Sequence, residues 1–227
     1  MNNSGVTQST ATSWDVVVLS FKILYQRLLL WIRLNFQYLL FSIPLVTAPG
    51  ATAALYFAVV RGLRDPAGNR IIGSEEMKEG FSRFKFRALG LFMIKWIIFF
   101  VIVFSIFFWI RQDSWWLRSF SVIGFYTLLL WMLSEIYLYP VMVDNPELSI
   151  FQVLRNAVDL AFIKPFETLL LMVVSNLLLF FGLILLGPVM LVIPALQAIL
   201  RIQIYWFITG KVIPGFMDLV QYTNEYG

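Results

Sequence analysis

The sequence predicts an all-α, polytopic membrane protein, and three observations carry that prediction. The 227 residues are 60% hydrophobic, with a mean hydropathy of +0.81 and only 13% charged residues, against about 25% charged in water-soluble domains. Apolar runs approaching or exceeding the roughly 20 residues that a helix needs to cross a bilayer recur along the chain. Basic residues gather in the polar stretches between those runs, where the cytoplasmic loops of helical membrane proteins carry them. A water-soluble core of this size cannot hide so much apolar surface.

Residues Met1 to Ser13 are polar and rich in Asn, Ser and Thr. They lack the basic start of a signal peptide and read as a disordered cytoplasmic tail, residues 1–13. A single helical membrane domain is expected over residues 14–211. From Trp14 to Phe41, apolar residues mix with Lys22, Arg27 and Arg33, which predicts an interfacial, amphipathic start that becomes a membrane helix near Trp31. Pro44 ends that helix, because proline lacks a backbone donor and clashes with the preceding turn. Thr47, Pro49 and Gly50 complete a hinge with Pro44, expected to lie buried against other helices, since freed backbone groups in a membrane need protein or water as partners. The next apolar run, Ala51 to Val60, is about 15 Å long as a helix. That is too short to cross alone, so the two pieces form either one broken crossing or a hairpin with a short arm.

Between Arg61 and Arg87 stand Arg61, Arg64, Arg70, Lys78, Arg83, Lys85 and Arg87, against Asp65, Glu75, Glu76 and Glu79. Asp65 to Asn69 reads as a turn, and Ser74 with Glu75 and Glu76 as a helix start, with acids near the positive end of the helix dipole. Met77, Phe81 and Phe84 follow at helical spacing, predicting a short amphipathic helix on the cytoplasmic surface. Ala88 to Ile110 is then a clear span interrupted only by Lys95. Arg111 to Ser114 is a polar turn ringed by Trp109, Trp115 and Trp116, an aromatic belt. Phe120 to Val143 crosses back, carrying Glu135.

The Asp144-Asn145-Pro146-Glu147 stretch is a turn and cap, followed by a second amphipathic connector from Leu148 to Ile163. Its apolar face is expected to hold Phe151, Leu154, Val158 and Phe162, and its polar face Gln152, Arg155 and Asp159. Thr168 to Gly187 is uncharged and must span. After a Gly187-Pro188 turn, Val189 to Gly210 returns with Arg201 inside it, and residues 212–227 form a short polar tail. The positive-inside rule puts the Arg61–Arg87 loop, the Asp144–Pro165 connector and the C-terminal tail in the cytoplasm. With Lys22, Arg27 and Arg33 also inside, the hinge hairpin counts as two passes. The prediction is about six membrane helices, the first pair a hinged hairpin with a short arm, plus two cytoplasmic connectors and both termini inside; five passes with the N-terminus outside is the alternative.

There are no cysteines and no histidines, which removes thiolate nucleophiles, disulfides, the usual zinc ligands, axial haem ligands and imidazole acid–base chemistry. No catalytic, cofactor or metal site is expected. The net charge of +4 is accounted for by loops facing anionic lipid, so the bilayer and not nucleic acid is the expected partner. Three ionisable residues, Lys95, Glu135 and Arg201, fall inside spans, each roughly 10–14 Å from the cytoplasmic end of its helix. A charge at that depth costs several kcal/mol unless paired or wet, so Glu135 is expected to meet Arg201 or Lys95. Such a group is either a structural ion pair with a snorkelling lysine or the polar floor of a substrate or ion pathway. Ser134, Ser175, Asn176, Gln197 and Gln203 extend the network or bond helix to helix. The hinge likewise reads as a packing kink or as backbone exposed to a substrate.

Leu34-Asn35, Ile43-Pro44-Leu45-Val46-Thr47 and Gly50-Ala51-Thr52-Ala53-Ala54-Leu55-Tyr56 resemble the N-terminal signature of the YesL-like family of bacterial membrane proteins. The resemblance extends weakly through Phe81-Ser82-Arg83-Phe84-Lys85 and Tyr137-Leu138-Tyr139-Pro140, covering roughly Arg27 to Lys211. One departure is Ala48-Pro49-Gly50, where the family more often reads glycine-proline-alanine. The resemblance implies a bacterial inner-membrane protein without enzymatic activity, an accessory or assembly partner of a carbohydrate transport system, with membrane transport subunits as its partners. Autonomous transport of a small solute or ion through Lys95, Glu135 and Arg201 is the alternative.

Overall fold

A computed structural model gives the fold and describes residues 13–65, 73–184, 191–211 and 213. The N-terminal tail up to residue 12, most of the turn after Asp65, the Gly187-Pro188 turn and nearly all of the C-terminal tail lie outside the described residues. Those described form eight α-helices and no strand: α1 (Ser13–Gln26), α2 (Leu28–Ser42), α3 (Ala48–Leu63), α4 (Ser74–Ile110), α5 (Trp115–Asp144), α6 (Ile150–Ile163), α7 (Pro165–Ile184) and α8 (Ile193–Ile208). Three of them, α4, α5 and α7, are long and apolar enough to cross a membrane, while α2 and α8 are apolar but shorter.

The expected single element from Trp14 to Phe41 is two helices, broken at Arg27 (φ −129°, ψ 38°). No proline or glycine marks this break. The buried indole of Trp31 explains how it is held, since its Nε1 donates to Ile23 O at 3.2 Å, satisfying a carbonyl near the end of α1. α1 then packs on α8 through Val16, Val17, Leu19 and Ser20, with the Ser20 hydroxyl 2.6 Å from Gln203 Oε1.

α3 is the centre of the described bundle. Thirteen of its 16 residues are buried, and it packs against α2, α4, α5 and α8. A helix apolar on every side, with Ala at 51, 53, 54 and 58, suits that place because small side chains let neighbouring backbones approach. α2 and α3 are joined by the Pro44–Thr47 turn and pack against each other as a hairpin. The hinge between them is split, which corrects the expectation that it is buried as a unit. Ile43, Pro44, Leu45 and Val46 are exposed, while Pro49 and Gly50 are buried. The outer half is apolar and can face lipid, because Thr47 supplies the missing partners: its hydroxyl lies 2.6 Å from Phe41 O and 2.8 Å from Pro44 O, and its N–H donates to Pro44 O.

The surface helix expected before Ala88 is also corrected. Ser74 to Ile110 is one continuous helix of 37 residues, about 55 Å long. Its first half buries Met77, Gly80, Phe84, Ala88 and Leu91 in a single seam, and α3 lies against the charged beginning of that half. Gly50 of α3 abuts Phe81 and Lys85, Ala54 abuts Gly80, and Arg61 pairs bidentately with Glu79 at 2.6 Å. Tertiary packing against α3 carries the helix through residues that, alone, read as a separate surface element. α3 thus runs beside the charged part of α4, and at 16 residues it is shorter than α4, α5 and α7, the three helices long and apolar enough to cross a membrane.

α4 and α5 form an antiparallel hairpin around the Arg111–Ser114 turn. Contacts pair Lys95 with Glu135, Ile106 with Gly124, and Trp109 with Phe120, so one index falls as the other rises. α6 starts at a capping box of Ser149 and Gln152 and buries Val153, Leu154, Ala157, Leu160 and Ala161. Of the predicted apolar face only Leu154 is buried, and Phe151 and Phe162 point outward. The hydrophobic stripe is wider than one protein contact needs, and its remainder, continued by Ile163 and Phe166, is left exposed.

Candidate functional site

The three charges predicted inside spans do not form one network. Lys95 Nζ and Glu135 Oε2 are 2.9 Å apart, with side chains about one-quarter to one-third exposed, so this pair ties α4 to α5. Of the two partners the sequence offered Glu135, the structure selects Lys95. Removing either charge alone strands the other, so Lys95→Met and Glu135→Gln are each expected to lower the thermal midpoint more than the double variant does. A double variant as unstable as the sum of the two singles, measured by melting in detergent, would contradict the pairing.

Arg201 stands apart. None of the ion pairs among the described residues includes it, and its Nε is buried without a hydrogen-bond partner. Its guanidinium reaches the Tyr56 hydroxyl, and Arg201, Tyr38 and Glu135 all stand in the electrostatic surroundings of Tyr139. The Tyr56 and Tyr139 rings stack at 5.5 Å with 25° between their planes. Four helices build this group, with Tyr38 from α2, Tyr56 from α3, Tyr139 from α5 and Arg201 from α8. The sequence singled out Arg201 but missed the tyrosines as site residues, although Tyr56 and Tyr139 both stand in the stretches that carry the family resemblance.

The uncharged polar residues mostly bond helix to helix or to their own helix. Gln203 meets Ser20, and Gln197 Nε2 donates to Ser175 O at 3.1 Å. Ser134 and Asn176 donate to carbonyls one turn back, Leu130 O and Met172 O. Asn35, fully buried, donates from Nδ2 to Leu191 O at 2.6 Å, fixing the turn that leads into α8.

A second cluster, unforeseen in the sequence, closes one end of the bundle. Asp144, the last residue of α5, has a side chain only 1% exposed; it accepts from Arg64 Nη2 at 2.7 Å and from Lys211 Nζ. It thereby joins the ends of α3, α5 and α8. Asn145 Nδ2 donates to the Tyr205 hydroxyl at 3.0 Å beside it, and Arg87 donates to the carbonyls of Pro146 and Leu148. A cavity of about 410 Å³ opens next to this clasp, bordered by Asn145, Asn156, Asp159, Tyr205 and Lys211. Burial favours the neutral form of Lys211, but its hydrogen bond to Asp144 and the pull of Tyr205 outweigh that, leaving its pKa above the ordinary 10.5. A raised lysine pKa stabilises the fold fully below its unfolded value and loses that contribution as pH climbs through the folded value. The thermal midpoint of the wild type should therefore carry no Lys211-dependent slope between pH 6 and about 9, and fall more steeply than that of Lys211→Met above about pH 10.4. Matching pH profiles for the two proteins above that point would refute the assignment.

Among the described residues no group of three or more acidic side chains is placed to hold a metal ion. What the arrangement offers chemically is one neutralised ion pair, one unpaired guanidinium among phenolic hydroxyls, and a charged clasp. No family model, no curated protein and no solved structure matches the chain.

Proposed function

We propose that this chain is a multi-pass protein of the bacterial cytoplasmic membrane, with both termini inside, that works without enzymatic activity as an accessory or assembly partner of a carbohydrate transport system, as the YesL-like resemblance implies. The observation that carries this reading against cation- or proton-driven transport is the Lys95–Glu135 pair. Glu135, the acid predicted inside a span, is held 2.9 Å from a lysine, whereas a coupling carboxylate must be available to a proton or cation from water. The clasp at Asp144 and the basic residues Arg61, Arg64, Lys78, Arg83, Lys85 and Arg87 gather at one end, supporting its assignment to the cytoplasmic side. There α6 also presents Phe151 and Phe162, suited to the bilayer surface or to a partner's membrane helices.

Affinity purification of the tagged full chain in mild detergent tests the reading. Stoichiometric recovery of transport subunits, with sugar uptake reduced on gene deletion, is the expected result. Unchanged uptake together with recovery of the protein alone would end it. A second reading, autonomous movement of a small solute, is favoured by the unpaired Arg201, a cation suited to an anionic substrate. It requires flux in liposomes that Arg201→Gln abolishes.

A further inference from the structure

We infer that the cavity beside the Asp144 clasp binds a zwitterionic headgroup, an oxyanion carried a few atoms from a primary ammonium, as in phosphoethanolamine. The cavity lies between α5, α6 and the end of α8 and measures about 410 Å³. That is far more than the roughly 30 Å³ one water occupies in the liquid, and it falls in the size range of small-ligand sites. Tyr205 supplies the observation that points to a ligand. It is 3% exposed, and its hydroxyl oxygen accepts from Asn145 Nδ2 at 3.0 Å and from Lys211 Nζ at 3.3 Å. A phenol has two lone pairs and one proton, so both lone pairs are taken and only the proton is left to bond. No acceptor for it stands among the described residues, and the side chain borders the cavity. A buried donor without an acceptor is costly, and an oxyanion in the cavity removes that cost. Lys211, on the same border, brings a positive charge to this corner.

The opposite wall has the complementary chemistry. Asn156 and Asp159, three residues apart and so on one side of α6, both border the cavity. Asn156 is half-buried, and its carboxamide has no hydrogen-bond partner among the described residues. Asp159 is 62% exposed and meets Arg155 only at 3.9 Å, a surface pair of little strength. Asn145 Oδ1 is a further acceptor, since the amide nitrogen of that residue already donates to Val141 O and Tyr205. A carboxylate with two carboxamide oxygens suits a cation that carries N–H donors. Ile163 borders the cavity and is itself exposed, and Phe162 and Phe166 continue an apolar rim beside it. Such a rim, at the charged end of the bundle, matches a lipid with its headgroup in the cavity and its acyl chains along the rim. A soluble phosphoethanolamine would use the same polar groups without the rim, and the experiment separates the two sources. The inference is independent of the accessory reading, which stands or falls on partners and uptake.

Native mass spectrometry of the full chain, titrated with dioleoyl phosphatidylethanolamine, phosphatidylglycerol or phosphatidylcholine, reads the lipid arm; thermal shift with phosphoethanolamine reads the soluble arm. If the source is a lipid, one phosphatidylethanolamine is retained in preference to both others, because phosphatidylglycerol lacks the cation and phosphatidylcholine lacks its N–H donors. Asp159→Asn, at an exposed position, should remove the preference over phosphatidylglycerol, and Tyr205→Phe should weaken phosphatidylethanolamine retention about fivefold. Arg83→Gln, which takes an exposed cation from α4 away from the cavity, should change it less than about twofold. If the source is soluble, phosphoethanolamine raises the midpoint of the wild type saturably and not that of Asp159→Asn. Should Tyr205→Phe fail to fold, Asn156→Ala, which breaks no side-chain hydrogen bond among the described residues, must weaken the same binding several-fold. Binding that is absent in both arms, that favours phosphatidylglycerol, or that survives every one of the cavity substitutions overturns the inference.

Discussion

Gly80→Ala, the addition of one carbon, is expected to destabilise the protein far more than the same change at Gly90. A Cβ at Gly80 would lie 3.0 Å from the Ala54 Cα and 2.9–3.0 Å from Phe57 Cδ1 and Cβ. One of these is backbone, and α3 cannot retreat because it is enclosed by α2, α5 and α8 as well. At Gly90 the only close atom is Ile150 Cδ1, the tip of a side chain that can rotate away. Overpacking a tight contact costs about 1–3 kcal/mol, and the enclosed backbone puts Gly80→Ala at the upper end of that range. At about 2–4 °C per kcal/mol for a chain of this size, the midpoint in detergent should drop by several degrees, with loss of monodisperse protein on size exclusion. Gly90→Ala should behave as wild type. Equal midpoints for the two variants would mean that α3 and α4 are not in backbone contact at Ala54 and Gly80.

That contact also shows where the sequence was legible and where it was not. The class of fold follows from composition alone, and α4, α5 and α7 from apolar length broken by at most one charge each, because a bilayer imposes a length that can be read along the chain. The Pro44 break and a turn between α5 and α6 were legible from local chemistry, whereas the cap of α6 falls at Ser149, past the Asp144–Glu147 stretch where the sequence placed it. What the sequence hid was set by packing between distant residues. The fusion of the expected connector into α4 depends on a seam of Met77, Gly80, Phe84 and Ala88 against α3, and the break at Arg27 depends on a Trp31 indole reaching Ile23. The choice of Lys95 over Arg201 as partner of Glu135 is of the same kind. All three charges stood at similar depth, and only the α4–α5 register decides which two meet. The tyrosines around Arg201 were illegible for a further reason: aromatic residues are common in spans, and nothing local distinguishes one beside a cation from one facing lipid.

Asp144→Ala is the other change with a large expected effect, and its partners set the ranking of the variants around it. The carboxylate is almost wholly buried, while Arg64 and Lys211, which it holds, are about three-fifths and two-fifths exposed. Removing the anion leaves one guanidinium and one ammonium, Arg64 and Lys211, converging without a counter-charge at the ends of α3, α5 and α8. Breaking a fully buried pair from one side costs about 3–5 kcal/mol, and the exposure of the two cations to solvent brings this to about 2–3 kcal/mol here. Lys211→Ala and Arg64→Ala each leave the carboxylate with one cation, so both should cost less, Arg64→Ala least because its guanidinium is the most solvated. Salt distinguishes them further: at 1 M ionic strength, where screening extends only about 3 Å, the small Arg64→Ala effect should vanish and the Asp144→Ala effect persist. Melting curves of the three single variants at low and high salt give the ranking directly. If Asp144→Ala proves no worse than Arg64→Ala, the carboxylate is solvated and the three helix ends are not joined through it.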